Sequence, residues 1–296
     1  MQTLRRGGLA RAFAALVLAF HSPILAEKIC AGQLCIEKIE DSSGVHFSAV
    51  NQGPATLTVT IEPSLSNLKA DIGLPYTTAV KPGFLPLFSL RIFRQGMPHK
   101  SSYSFRYRLG DWRAKPDGTI YSLPFSPGEE FLILQGSNSS YSHNGSLAWS
   151  VDWDMPEGTE VHAARGGVVV STEARYTIGA PDRSLFTKAN HILIQHSDGT
   201  IGEYYHLKPG GVAVKTGQVV SEGELIGYSG NTGFSTQPHL HFHVSIPVDG
   251  KETQSVRIYY RTEGSNAQSL LTGKVYRAVT APASPEKRSD LQPEIE

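Results

Sequence analysis

Cysteine is nearly missing from this chain: 296 residues contain only Cys30 and Cys35. Two thiols cannot build a four-cysteine metal site, so that class is excluded. Net charge is missing as well, with 27 Lys+Arg against 27 Asp+Glu. A nucleic-acid-binding domain would carry a basic excess, and none is present. No apolar run reaches the ~18 residues that a spanning helix needs, which excludes a polytopic membrane protein. Helical periodicity is equally scarce, with no amphipathic pattern longer than two turns. What remains is turn-rich: 29 Gly and 18 Pro punctuate alternating apolar stretches. That combination predicts an all-β chain.

The N-terminus reads as an address. Arg5, Arg6 and Arg11 stand without an acid, a short apolar run follows over 12–20, and Pro23 and Ala26 close it. A basic region, a short apolar region and a small residue make a secretory signal peptide, with cleavage expected after Ala26 and an uncleaved anchor as the alternative. Lys28 and Ile29 before Cys30 do not make a lipobox. The mature chain is therefore expected in a periplasm or outside the cell, without an integral membrane span. In such an oxidising compartment Cys30 and Cys35 are expected to pair as a local disulfide.

Beyond the leader two regions differ in texture. Residues 27–125 alternate with period two, as in 55–62, 85–93 and 102–109, between turn signals at 53–54, 82–83 and 116–118. This predicts an accessory β-sandwich of the immunoglobulin type. From 126 to 278 strand-like pieces follow at 130–135, 148–153, 166–172, 190–196, 201–207, 212–220, 224–228 and 239–246. Eight of the eleven histidines lie between His143 and His243. The tail, 279–296, is polar and Pro-rich and reads as disordered.

Chemistry concentrates in the second region. His239 and His241 are two apart, so on a strand both imidazoles point to one face, within reach of one metal ion or water. Alone this pair is a weak signal. It is fed by a loop with Gly227, Gly230 and Gly233, and preceded by Tyr205-His206-Leu207. Upstream stand His143, Asp152 and the turn Met155-Pro156-Glu157-Gly158-Thr159. A hydrolytic zinc site needs three N or O ligands, a position open to water, a base and an oxyanion partner. This residue set can supply all of them. By geometry alone, 241/243 is as good a pair as 239/241. His243, ~13 Å along the strand from His239, reads as a groove-rim residue. His191 and His196 have odd spacing and read as structural. His162 reads as exposed, and His46 and His99 lack evident partners.

Three segments in this order resemble the M23 family of lysostaphin- and LytM-like zinc metallopeptidases, which cut peptidoglycan peptides. They are 227–242, the Tyr-Tyr-His-Leu segment ending at Leu207, and the segment from Asp152 to Val161. The resemblance covers about 126–278. It implies an open antiparallel β-sheet with Zn²⁺ in a groove. It implies Asp152 and His241 as ligands, and His206 and His239 as catalytic residues, with His239 the general base. The family's usual His-x-x-x-Asp fails here, because Ala148 stands four before Asp152. His143, nine before the Asp, is taken as the third ligand, with Asp154 and His162 as substitutes. Tyr204, Tyr205, Tyr228 and Phe234 are candidates to line the groove, Tyr204 ahead of Tyr205 since alternation gives it the face of His206. The implied function is a zinc endopeptidase acting on peptidoglycan stems or cross-bridges. Alternatives are a non-catalytic activator of a cell-wall amidase, or a secreted peptidase acting on another protein. The sandwich could cover the groove from within the same chain.

Overall fold

A computed structural model describes residues 25–288. The expected signal peptide lies almost wholly outside them, and the cut expected after Ala26 falls inside the first described strand. Among the described residues there are twenty-five strands, two single-turn 3-10 helices and no α-helix. None is a helix long and apolar enough to cross a membrane.

The N-terminal half comprises β1 (Leu25–Ala31), β2 (Leu34–Asp41), β3 (Gly44–Asn51), β4 (Leu57–Ser66), β5 (Leu68–Ala70), β6 (Tyr76–Val80), β7 (Gly83–Ile92) and β8 (Lys100–Leu109). They form two sheets, in the orders β1-β2-β3-β7-β5 and β6-β4-β8. Alternation buries Val45, Phe47 and Ala49 of β3 against Leu57, Val59 and Ile61 of β4. At ~1.5–3 kcal/mol per buried large apolar side chain, this interior is the main force holding the half together. An immunoglobulin sandwich closes its smaller sheet with two adjacent final strands. Here β8 is the last strand and pairs only with β4, so the order departs from that type. Cys30 and Cys35 are register partners on the β1–β2 hairpin and are bonded to each other. His46 and His99 do have partners: Ser89 Oγ at 2.8 Å and Glu40 Oε1 at 2.8 Å.

The C-terminal half is built on an antiparallel sheet of nine strands. Its centre runs Gly167–Glu173, His191–Gln195, Ile201–Tyr205, Leu240–Pro247, Val151–Trp153 and Glu130–Gln135. One face is apolar: Trp153, Ile192, Ile194, Tyr204, Leu240 and Phe242 are buried together. Val161, Leu207 and Ile226, from a separate three-stranded sheet, cover that face. The stretch expected as one strand over 212–220 is split, with a strand ending at Val212 and another at Val219–Val220.

The other face is divided. Val170, Leu193 and Ile201 join the apolar interior of the sandwich, so the N-terminal half sits directly on this sheet. Thr56 N donates to Gln195 Oε1 and Gly250 N to Thr60 Oγ1 across the junction. Beside this covered area the same face carries the polar residues described next. The segment 279–288 is not free, as its polar composition suggested. Ile120 N donates to Glu286 O, Arg288 N donates to Gly118 O, and Lys287 pairs with Asp117. Polar residues dock here because buried Arg165 and Arg261 give the linker and tail charges to pair with.

Candidate metal centre and its two histidines

Register places the site. Asp152 pairs with His241, and His241 in turn with Tyr205, so three adjacent strands present side chains to one spot on one face. His241 Nδ1 lies 2.8 Å from Asp152 Oδ1. His143 comes in from the loop after Glu130–Gln135, just ahead of the 3-10 turn Gly145–Leu147, and is fully buried. Its Nε2 lies 3.2 Å from Asp152 Oδ2. His143, Asp152 and His241 each offer a ligand atom within 4.8 Å of the others, the one such group among the described residues.

The protons of this triangle are arranged for a cation. His143 Nδ1–H donates to Gly136 O at 3.1 Å, leaving Nε2 with its lone pair. That Nε2 is buried and has no hydrogen-bond partner, a costly state for a polar atom unless something binds it. Gln135 Nε2 donates to Asp152 Oδ2 at 2.9 Å. Burial alone would push the Asp152 carboxyl up. The imidazoles of His241 and His143 beside it outweigh burial and hold the group well below the usual carboxylate range. Burial pushes His241 down to about 4, against the pull of Asp152. The residues therefore fit a divalent metal: two neutral imidazoles, one carboxylate, one unsatisfied nitrogen.

His206 and His239 face this triangle, their ring centroids 4.5 Å apart. Each has its Nδ1–H tied to backbone: His206 to Thr232 O at 2.7 Å, His239 to Gln237 O at 2.8 Å. Each thus keeps an unprotonated Nε2 for the cavity. His206 adopts a left-handed backbone, φ 65°, which costs a non-glycine residue ~1–3 kcal/mol. Burial, with His239 and His241 nearby, pushes its pKa down to about 3. His239 is set by Gly230, whose carbonyl accepts the His239 N–H; a Cβ at Gly230 would come within 2.3 Å of Lys208 N. The cavity over these groups measures about 650 Å³ and is lined only by residues between Leu134 and Thr253. No described residue of the sandwich lines it, so the expectation that the sandwich covers the groove finds no support.

Several readings change. Tyr204 is fully buried in the core, and Tyr205 lines the cavity instead. The left-handed turn at His206 breaks the alternation on which the Tyr204 expectation rested. His243 lines the cavity and stays outside the triangle, but it is buried rather than on an open rim, with Nδ1 3.0 Å from His241 Nε2. Glu203, buried 3.5 Å from His243, was not singled out, although an acid inside an apolar strand is a usable signal. Neither Asp154 nor His162 joins the triangle. His162 is half-buried on the three-stranded sheet, hydrogen-bonded to Gly223 O. His196 is buried with Nδ1–H on Gly166 O, and His191 bonds Ser171.

A His–Asp–His triangle with an unpartnered nitrogen, faced by two further imidazoles, is a donor set suited to a metal-dependent hydrolase. Residues 146–255 match the family model for Peptidase family M23, a metallopeptidase family, and the chain carries an M23 peptidase domain. The match begins three residues after His143, so His143 lies outside it. Peptidoglycan DD-endopeptidase ShyA from Vibrio cholerae is 39% identical over 104 residues, 35% of this chain and 20% of the relative. Lysostaphin from Staphylococcus staphylolyticus is 39% identical over 100 residues, 33% of this chain and 18% of the relative. The solved catalytic domain of lysostaphin from Staphylococcus simulans is 28% identical, covering 43% of this chain and 87% of that one, with a TM-score of 0.31. The chain spans only about a fifth of the length of the two curated relatives.

Proposed function

We propose that this protein is a zinc endopeptidase hydrolysing peptide bonds of peptidoglycan outside the cytoplasm, with His143, Asp152 and His241 as ligands. The unpartnered, buried Nε2 of His143, aimed at Asp152, carries this reading. Zinc, when bound, lowers the pKa of a bound water toward ~7 and polarises the scissile carbonyl. The carboxylate of Asp152 and the neutral rings of His143 and His241 hold the charge in place. His239, with its proton fixed on Nδ1, takes the water's proton on Nε2 as that oxygen adds to the carbonyl carbon. His206 starts as an acceptor too, because its single proton is engaged by Thr232 O. The proton that His239 takes is the one returned to the departing amine as the C–N bond breaks. His206, its ring centroid 4.5 Å from that of His239, lies where it can pass this proton on. Relatives named as peptidoglycan DD-endopeptidase and lysostaphin support the substrate class.

Metal content measured together with turnover tests this. The wild-type chain and His241→Ala are assayed for zinc and incubated with purified sacculi. One zinc per chain and new peptide ends, both lost in the variant, are expected. Absence of zinc and of cleavage in the wild type would overturn the enzyme reading in favour of an amidase activator.

A further inference from the structure

On the side of His241 away from the two catalytic candidates, along the wall of the same cavity, lies a second buried polar chain. His243 and Glu203 are register partners on adjacent strands, on the face that carries His241. His241 Nε2 is 3.0 Å from His243 Nδ1, and His243 Nε2 is 3.5 Å from Glu203 Oε1. Glu203 Oε1 also accepts from Ser245 Oγ, and its Oε2 accepts from Tyr205 OH at 2.7 Å. The Tyr205 side chain packs against the apolar interior of the sandwich. All these polar side chains are buried or nearly so.

A neutral imidazole carries one N–H, and whichever nitrogen lacks it is the ligand. His241 turns Nδ1 toward Asp152. For Nδ1 to offer its lone pair to a metal, the proton must sit on Nε2, where His243 Nδ1 accepts it. That places the proton of His243 on Nε2, facing Glu203. Glu203 can only accept here, since Ser245 and Tyr205 fill its other positions with donors. Every member of the chain thereby forces the tautomer of the next. We propose that His243 and Glu203 are positioning residues that lock His241 with Nδ1 free for the metal, and that Tyr205 anchors this relay to the N-terminal half. This deepens the zinc-site reading and rests on it. Hydrogen bonds behind a ligating histidine raise its basicity and fix its ring, and losing them costs ~10–100-fold in metal affinity.

The test uses the full chain and zinc in competition with a chromogenic chelator, with the absorption spectrum of the cobalt-loaded protein as a second readout. His243→Leu is expected to weaken zinc ~10–100-fold and shift the cobalt bands. His243→Gln, which keeps an acceptor, should recover most of the affinity, a rescue that a purely space-filling role would not give. Glu203→Gln, near-isosteric, should lose affinity to a lesser degree and carries the test if His243→Leu fails to fold by circular dichroism. Wild-type zinc affinity in His243→Leu, or in Glu203→Gln where that variant carries the test, overturns the relay alone. Failure of the wild-type chain to take up zinc overturns the metal reading and the relay with it.

Discussion

Two buried charged clusters in this protein obey different rules. Around Arg165 every charge is answered: Asp198 at 2.7 Å, Asp117 at 3.3 Å, Tyr121 OH at 3.2 Å, and Lys287 completing Asp117. Around Asp152 the account stays open, because His143 Nε2 has nothing to bond. A closed network holds the linker and tail on the domain and asks for no ligand. Both clusters combine buried acids with cationic or imidazole groups, so composition alone does not separate them. Nor does an unpartnered atom by itself, since His196 Nε2 near Arg165 is buried without a partner too. What separates them is that His143 Nε2 stands with a carboxylate and a second imidazole within 4.8 Å, a ligand set that the Arg165 cluster lacks.

The comparison breaks most visibly at the ligands. His143→Ala or Asp152→Ala should abolish stoichiometric zinc and reduce sacculus hydrolysis to background, measured by metal analysis and release of peptide ends. Loss of zinc in Arg165→Met, or its retention in Asp152→Ala, would reverse the assignment of the two clusters. Next come the facing histidines. His206→Ala and His239→Ala should keep zinc while turnover falls ~10²–10⁴-fold, the usual worth of a positioned acid or base.

Third, Arg165→Met should leave zinc content intact yet destabilise the fold by ~3–5 kcal/mol, read from urea unfolding, because it strands the buried Asp198 carboxylate. The smallest effect concerns pH. Burial, with Arg165 nearby, pushes His196 down to about 4, so the folded state binds fewer protons there than the unfolded chain. Its stabilisation is complete above the unfolded value near 6.5 and is lost as pH falls from there toward 4. His196→Gln should flatten that part of the stability profile, by at most ~1.4 kcal/mol per pH unit. An unchanged slope in the variant would assign the acid sensitivity elsewhere.

How far the sequence could be read follows from what each residue depended on. The all-β class and the strands at 130–135, 190–196 and 201–207 rested on alternation, which local sterics and burial enforce, and they form at nearly those places. Asp152 and His241 were legible because motif order carried them, and their cross-strand pairing makes them neighbours. His143 depended on a loop path that no periodicity encodes. Tyr205 was legible as a groove aromatic, but one backbone angle, the positive φ of His206, reverses its order with Tyr204. His243 was legible as a partner of His241 on the same face, but its burial was not, since strand alternation does not say how deep a groove position lies. The docking of the sandwich through Val170, Leu193 and Ile201 was invisible, since these read as ordinary strand residues whichever surface covers them.

That last contact changes what separating the two halves would do. A fragment beginning near residue 126 would bare Val170, Leu193, Ile201 and the ring of Tyr205 on the rim of its own groove. Such a bared apolar strip makes copies of a domain stick to one another. The N-terminal half thus serves the other as a chaperone permanently attached: it leaves the cavity open and keeps the neighbouring surface from finding worse company.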